Sequence, residues 1–236
     1  MISFIIPAHD EEELLGLALE AITAACGQIG EQYEIIVASD ASTDRTADIA
    51  QGHGARVVNL ERRQIAAARN AGAKEAIGDL LIFVDADTQV TASAVAAAVR
   101  ALRRGAVGGG SCVRFDGVIP LYAKVLEYVF RLLQPLVALA PGCFLFCTRD
   151  AYQKAGGYDE SLFVSEEVVF AWRLKNLGQF VILREYVITS ARKLRTRRAL
   201  DLLLVGLRIA AAGPQSLRRR EGLEFWYGPR ERNRSI

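Results

Sequence analysis

The chain is poor in the residues that build redox and soft-metal centres. Among 236 residues there are four cysteines, two histidines and one methionine. Cys26, Cys112, Cys143 and Cys147 form no CxxC pair, and no neighbouring Cys or His completes a zinc pattern around Cys143 and Cys147. Free thiols in a reducing compartment are therefore expected. Long apolar runs are also missing. A spanning helix needs about 18–20 uninterrupted apolar residues. VIPLYAKVLEYVFRLLQPLVALAPG (118–142) comes nearest but is broken by Lys124, Glu127, Arg131 and prolines, and RALDLLLVGLRIAAAG (198–213) carries Asp201 and Arg208. Each reads as a core helix or as a segment lying in a membrane interface, and neither as a span. The chain opens directly on a strand-like segment, MISFIIPAHD, so no secretory leader is read. A cytoplasmic location is expected, at the cytosolic face of a membrane if the apolar segments are interfacial. Two glycine signatures of nucleotide folds are absent: there is no GxxxxGK[ST], and no GxGxxG follows a strand. GAVGGGS (105–111) reads instead as a flexible entry to a strand.

What remains is ordinary in bulk and uneven in distribution. Half the residues are apolar and a quarter charged, enough for one large α/β domain or two small ones. The net charge of +2 hides an asymmetry, since residues 190–236 hold 12 Lys/Arg against 4 Asp/Glu and the remainder 17 against 23. A basic tail on an acidic body suits anionic lipid, a phosphorylated substrate or nucleic acid, and equally a solvated basic helix.

The first hundred residues alternate between two periods. SFIIPA, YEIIVAS, ARVVNL and LLIFVDAD are short, almost continuously apolar runs. Between and after them come EEELLGLALEAITAAC, STDRTADIAQGHG, IAAARNAGAKEAIG and SAVAAAVRALRRG, with apolar residues at helical spacing. Buried strands separated by amphipathic helices predict a doubly wound α/β core with a mostly parallel sheet covered on both faces. After about residue 106 the pattern loosens, until Ser165–Leu177 reads as a helix with Ser165 as its N-cap, Gly178 as its stop and Val168, Val169, Trp172 and Leu177 as its core anchors.

The acids fall at strand ends. His9 and Asp10 follow the first strand, Asp40 the second, and Asp85 and Asp87 the fourth. In open parallel sheets the ligand crevice lies outside the carboxyl ends of the strands, so these side chains are expected on one rim. Clustered carboxylates repel unless a cation sits among them. An Asp-x-Asp pair can supply oxygens to Mg2+ or Mn2+, which also takes water and substrate phosphates, so a diphosphate-bearing substrate is expected.

FIIPAHDEE, EIIVASDASTDRT, AAARNAG, LLIFVDADT and GGYDESLFVSEEVVFAWRLKNLG together resemble family 2 glycosyltransferases of the GT-A fold, in the family's order and over residues 1–178. The resemblance implies a GT-A domain over 1–190, with a nucleotide-sugar-binding half (1–110) and an acceptor half (111–190), followed by a basic amphipathic tail (191–236). It places Pro7 and Ala8 against the nucleotide. Asp40 is implied as the acid on the base, with Asp44 as the second acid of that motif. Arg69 is placed near the pyrophosphate, Asp85 near the sugar or ribose, and Asp87 as the metal ligand. Glu166 and Glu167 match the family's Glu-Asp pair, with Glu167 as the catalytic base and Glu166 as the alternative. Ser39 and Asp10 depart from the family's usual Asp and Asn, and Glu167 is a Glu where Asp is usual. The QxxRW motif of processive synthases is absent, which favours transfer of a single sugar.

The implied reaction moves a sugar from a UDP- or GDP-sugar to an acceptor hydroxyl, inverting and metal-dependent, with an acceptor that is lipid-linked if the tail contacts anionic membrane; no nucleic acid is expected. The developing diphosphate charge calls for a metal, and the high pKa of a hydroxyl calls for a positioned carboxylate. Glu166 and Glu167 in a first helical turn would be kept ionised by the helix dipole, although two acids there also simply stabilise a helix. Tyr158 is expected to line the site or to pack, and Arg192, Lys193 and Arg195 to meet phosphates or headgroups. Two other classes compete. A sugar-1-phosphate nucleotidyltransferase lacks support because PAHDEEELL contains no glycine-rich, arginine-bearing loop. A degenerate domain recruiting partners through its tail is disfavoured by the retained acids.

Overall fold

The computed structural model describes residues 1–120, 122–124, 127–128, 140–196, 218 and 227–228. The central apolar and tail segments, 118–142 and 191–236, thus lie largely outside the described residues. The elements run β1 (Ile2–Ala8), α1 (Leu15–Ile29), β2 (Tyr33–Asp40), α2 (Thr46–Gly52), β3 (Arg56–Leu60), α3 (Ile65–Glu75), β4 (Leu80–Val84), β5 (Thr88–Gln89), α4 (Ala92–Arg103), β6 (Gly108–Phe115), β7 (Phe144–Thr148), α5 (Arg149–Ala155), α6 (Glu166–Lys175), β8 (Phe180–Thr189) and α7 (Arg192–Thr196).

The eight strands form one sheet in the order β3-β2-β1-β4-β7-β6-β8-β5. β3, β2, β1 and β4 are parallel, as the alternating periods predict. Their residues are apolar on both faces because helices cover both. On β1, Ile2, Phe4 and Ile6 pack with α1, α2 and α4, while Ile5 faces α3 on the other side. Beyond β4 the sheet changes character. β7 runs antiparallel to both β4 and β6, β8 returns parallel to β6, and β5 pairs antiparallel with β8.

The glycine-rich stretch is part of β6 itself, in place of the flexible entry expected. A Cβ on Gly109 would lie 2.2 Å from the Val181 carbonyl oxygen and 2.4 Å from the Phe146 ring, so only glycine lets these strands close. α6 also differs from its sequence reading. Ser165 sits at the N-cap position with φ 65° and makes no side-chain capping bond. The helix ends at Lys175, before Gly178. Phe170, Ala171 and Leu174 bury it, whereas Val168 and Trp172 are 40% and 63% exposed. The apolar residues of this short helix occupy nearly its whole circumference, so composition alone did not reveal which stripe faces inward.

Two pairings place the site. Val84 lies opposite Phe144, which brings Gly142 and Cys143 beside the end of β4, and the Asp85 N–H donates to the Cys143 carbonyl at 3.1 Å. Thr88 lies opposite Thr189, which brings Ser190 to Arg192 beside Asp87.

Candidate active site

A cleft of about 420 Å³ opens at the carboxyl ends of β1, β2 and β4. Its lining comes from Pro7, Ala8, His9 and Glu11 after β1, from Asp40, and from Arg63 to Ile65 with Ala68 and Arg69 around the start of α3. Asp85 to Asp87, Gly142 and Cys143, Phe163 to Glu167 and Tyr227 complete it. Non-glycine residues with left-handed backbone sit in the loops around this rim: Asp10 (φ 48°), Ala41 (φ 55°), Arg63 (φ 48°) and Ser165 (φ 65°). Strained backbone of this kind persists only where surrounding contacts over-determine it, and it clusters at ligand sites.

Arg69 is the hub of the cleft's inner wall. It is fully buried; Nη1 donates to Glu166 Oε1 at 2.7 Å, and Nη2 donates to Asp85 Oδ1 at 2.9 Å and to the Gly142 carbonyl at 3.1 Å. Its guanidinium lies 5.1 Å from the centroid of the Tyr158 ring, a cation–π distance. Burial opposes its charge, but Asp85 and then Tyr158, Glu166 and Glu167 outweigh that effect and raise its pKa further. Arg69 thus tethers β4 to α6 while still lining the cleft. Tyr158 packs beneath it, with Phe83 and Phe170.

The two glutamates differ sharply. Glu166 is 4% exposed, and burial together with neighbouring Glu167 pushes its carboxyl up to about 8, with Arg69 pulling the other way. Burial overrides the helix-dipole effect expected from the first turn. Glu167 is half-buried, lines the cleft, and packs its side chain over Gly142, where an added Cβ would lie 3.0 Å from Glu167 Cγ.

On the donor side, Asp40 lines the cleft while accepting backbone N–H bonds from Arg62 (2.7 Å), Arg63 (2.8 Å) and Gln64 (2.7 Å). It therefore shapes the β3–α3 loop that faces the ligand space. His9 Nδ1 lies 2.7 Å from the Asp40 carbonyl oxygen. Asp44 is not brought to the cleft lining. It accepts from the Thr46 hydroxyl and N–H and from the Glu12 N–H, and although burial raises its pKa, these bonds hold it below the usual range. Asp44 ties the β2–α2 turn to the β1–α1 loop.

Asp87 faces the cleft with the Thr189 and Thr88 hydroxyls at 3.4 and 3.5 Å and Arg192 Nη2 at 3.9 Å. Among the described residues no group of three His, Cys, Asp or Glu forms a metal cage. One partly exposed carboxylate fits a hard cation that draws most of its oxygens from a diphosphate and water.

Four contributors were not found by sequence reasoning. Glu11 is buried and paired with Arg192, yet in EEE (11–13) nothing distinguishes it from its exposed neighbours. Gln64 donates from Nε2 to the Glu160 and Leu162 carbonyls, joining the donor loop to the acceptor loop. Cys143 enters through the β4–β7 pairing. Tyr227 reaches the cleft from the far end of the chain; its hydroxyl donates to the Phe163 carbonyl at 2.7 Å, and its ring meets Phe163 edge-on.

The open α/β sheet and the acid-lined cleft at its strand ends define a GT-A glycosyltransferase. Residues 3–156 match glycosyl transferase family 2, and the chain belongs to that family. Over 100 residues it is 39% identical to the undecaprenyl-phosphate 4-deoxy-4-formamido-L-arabinose transferase of Edwardsiella ictaluri, covering 37% of this chain and 29% of that protein. The chain thus spans under a third of that curated relative. In three dimensions it is similar to S. aureus TarS residues 1–349 in complex with UDP (TM-score 0.64, 17% identity, 80% of this chain and 60% of that one). It is also similar to glucosyl-3-phosphoglycerate synthase of Mycobacterium tuberculosis in complex with Mn2+, UDP and glucosyl-3-phosphoglycerate (TM-score 0.60, 20% identity, 98% and 81%). All four cysteines are free, and no helix among the described residues is long and apolar enough to cross a membrane.

Proposed function

We propose that this chain transfers one sugar from a UDP- or GDP-sugar to an acceptor oxygen in a single inverting displacement. The observation that carries the reading is the meeting, in one cleft, of the β4 acids Asp85 and Asp87 with Glu167, the member of the glutamate pair that is not held by Arg69. Glu167 is the base: it accepts the proton of an acceptor hydroxyl as that oxygen bonds to the anomeric carbon, while the bond from that carbon to the diphosphate oxygen breaks with its electron pair. Glu166 fixes the first turn of α6 through Arg69 and is not the base. Asp87, with the donor diphosphate, would hold Mg2+ or Mn2+, which as a Lewis acid stabilises the leaving charge. Pro7, Ala8 and the loop organised by Asp40 flank the nucleotide, and Asp85, oriented by Arg69, faces the sugar.

The acceptor class turns on the same residue. A hydroxyl needs Glu167, whereas a lipid phosphate, such as the undecaprenyl phosphate in the name of the Edwardsiella relative, is already ionised. The basic segment from residue 190 onward supports an anionic, membrane-proximal acceptor. The test is a transfer screen of UDP- and GDP-sugars with Mn2+ against hydroxyl and polyprenyl-phosphate acceptors. On a hydroxyl acceptor, Glu167→Gln should lower kcat by about 10²–10⁴. Full activity of Glu167→Gln on a hydroxyl acceptor would refute the base assignment. Pyrophosphate release from a nucleoside triphosphate would point instead to a nucleotidyltransferase.

A further inference from the structure

The pairing of β5 with β8 brings the start of the basic C-terminal segment under the cleft. The Ser190 N–H donates to the Asp87 carbonyl at 3.1 Å, and the Ser190 hydroxyl accepts from the Arg192 N–H at 3.1 Å. Arg192 is 3% exposed and does not line the cleft. Its Nη2 lies between the two Glu11 oxygens, at 3.1 and 3.0 Å, and 3.9 Å from Asp87 Oδ2. Glu11 is itself anchored through its N–H to the Thr46 hydroxyl at 2.8 Å. A cation from residue 192 and an acid from residue 11 therefore meet beside Asp87, the β4 acid that Arg69 does not hold.

We propose that Arg192, held in place by Glu11, is a positioning residue that makes cation binding at Asp87 conditional on the donor's diphosphate. The inference rests on the nucleotide-sugar reading above. A fixed positive charge beside Asp87 repels a divalent cation arriving alone and attracts an anionic diphosphate arriving alone. The cation is then held well only when the diphosphate brings further oxygens and negative charge. Glu11 is the counterweight, since it draws Arg192 away from Asp87 and moderates both effects. One charge thus acts with opposite sign on the two ligands, which a purely structural role would not do.

The experiment uses the full chain and two probes: free Mn2+ followed by electron paramagnetic resonance, and UDP or GDP followed by calorimetry, each alone and then together. Arg192→Gln should tighten Mn2+ alone by about tenfold and weaken the metal-free nucleotide by a similar factor, the scale on which groups behind a metal ligand act. Arg192→Lys should stay near wild type on both. Glu11→Gln, which removes the negative charge that offsets Arg192, should shift both ligands in the opposite directions, and it decides the matter even if Arg192→Gln does not fold. Unchanged affinities, or Mn2+ and nucleotide affinities that fall together in any folded variant, would overturn the proposal. If neither nucleotide binds wild type even with Mn2+, the donor reading fails, and the Mn2+ arm alone still decides the role of Arg192.

Discussion

Replacing Arg69 with Met keeps an unbranched apolar stem and removes the guanidinium with its charge. Three hydrogen bonds are lost, to Glu166, Asp85 and Gly142, and Glu166 is left 4% exposed without its counter-ion. Removing one partner of a buried pair costs about 3–5 kcal/mol when the other stays charged. Below pH 8 Glu166 can instead hold its proton, so the cost falls to that of the lost hydrogen bonds, about 1–3 kcal/mol. The gap between wild type and Arg69→Met should therefore widen as pH rises from 6 to 9. Above its pKa near 8 the wild-type Glu166 ionises against Arg69, while the variant's must stay protonated or sit unpaired. Urea unfolding followed by circular dichroism at the two pH values measures this. Adding Glu166→Gln should rescue part of the loss at pH 9, with a coupling of about 1–3 kcal/mol in a double-mutant cycle. A pH-independent cost, or strict additivity of the two substitutions, would refute the view that Arg69 exists to hold Glu166.

Three further outcomes follow from the geometry. The Glu166 carboxyl is raised in the folded protein from 4.5 to about 8, so the stability it contributes is fully present below about pH 4.5 and is lost as pH rises through 8; Glu166→Gln should flatten that part of the stability profile. Gly109→Ala should destabilise by about 1–3 kcal/mol, measured as a lower urea midpoint, because its Cβ would meet the Val181 carbonyl at 2.2 Å. Tyr227→Ala should speed amide exchange in residues 160–165 while leaving β1 and β4 protected, since Tyr227 holds that loop through Phe163; equal exchange in both proteins would show that the contact does not restrain it.

The parallel half of the sheet was legible because burial on both faces leaves a periodic trace. β1, β2, β3 and β4 follow SFIIPA, YEIIVAS, ARVVNL and LLIFVDAD to within a residue or so at the strand starts, and the acids after them reach one rim because parallel strands end together. β6 to β8 were harder to read. Gly108 to Gly110 carry no apolar signature, and their strand forms because Phe146 and Val181 need backbone at close range. α6 misled for a related reason: Val168, Trp172 and Leu177 look like a core stripe, yet Phe170, Ala171 and Leu174 are the buried face.

Local order thus specified the elements, the rim and the family, since each depends on neighbours within a turn or a strand. The partnerships of the charges did not follow from it. The motif put Arg69 near a phosphate, and only the fold showed that Glu166, 97 positions away, lies within 2.7 Å of it. Glu11 was one acid of three until Arg192, 181 positions away, closed on it. Asp44 belonged to the site by motif and to a turn by geometry. A buried charge takes whichever counter-charge the closed chain brings within reach, and that choice exists only once the sheet has formed.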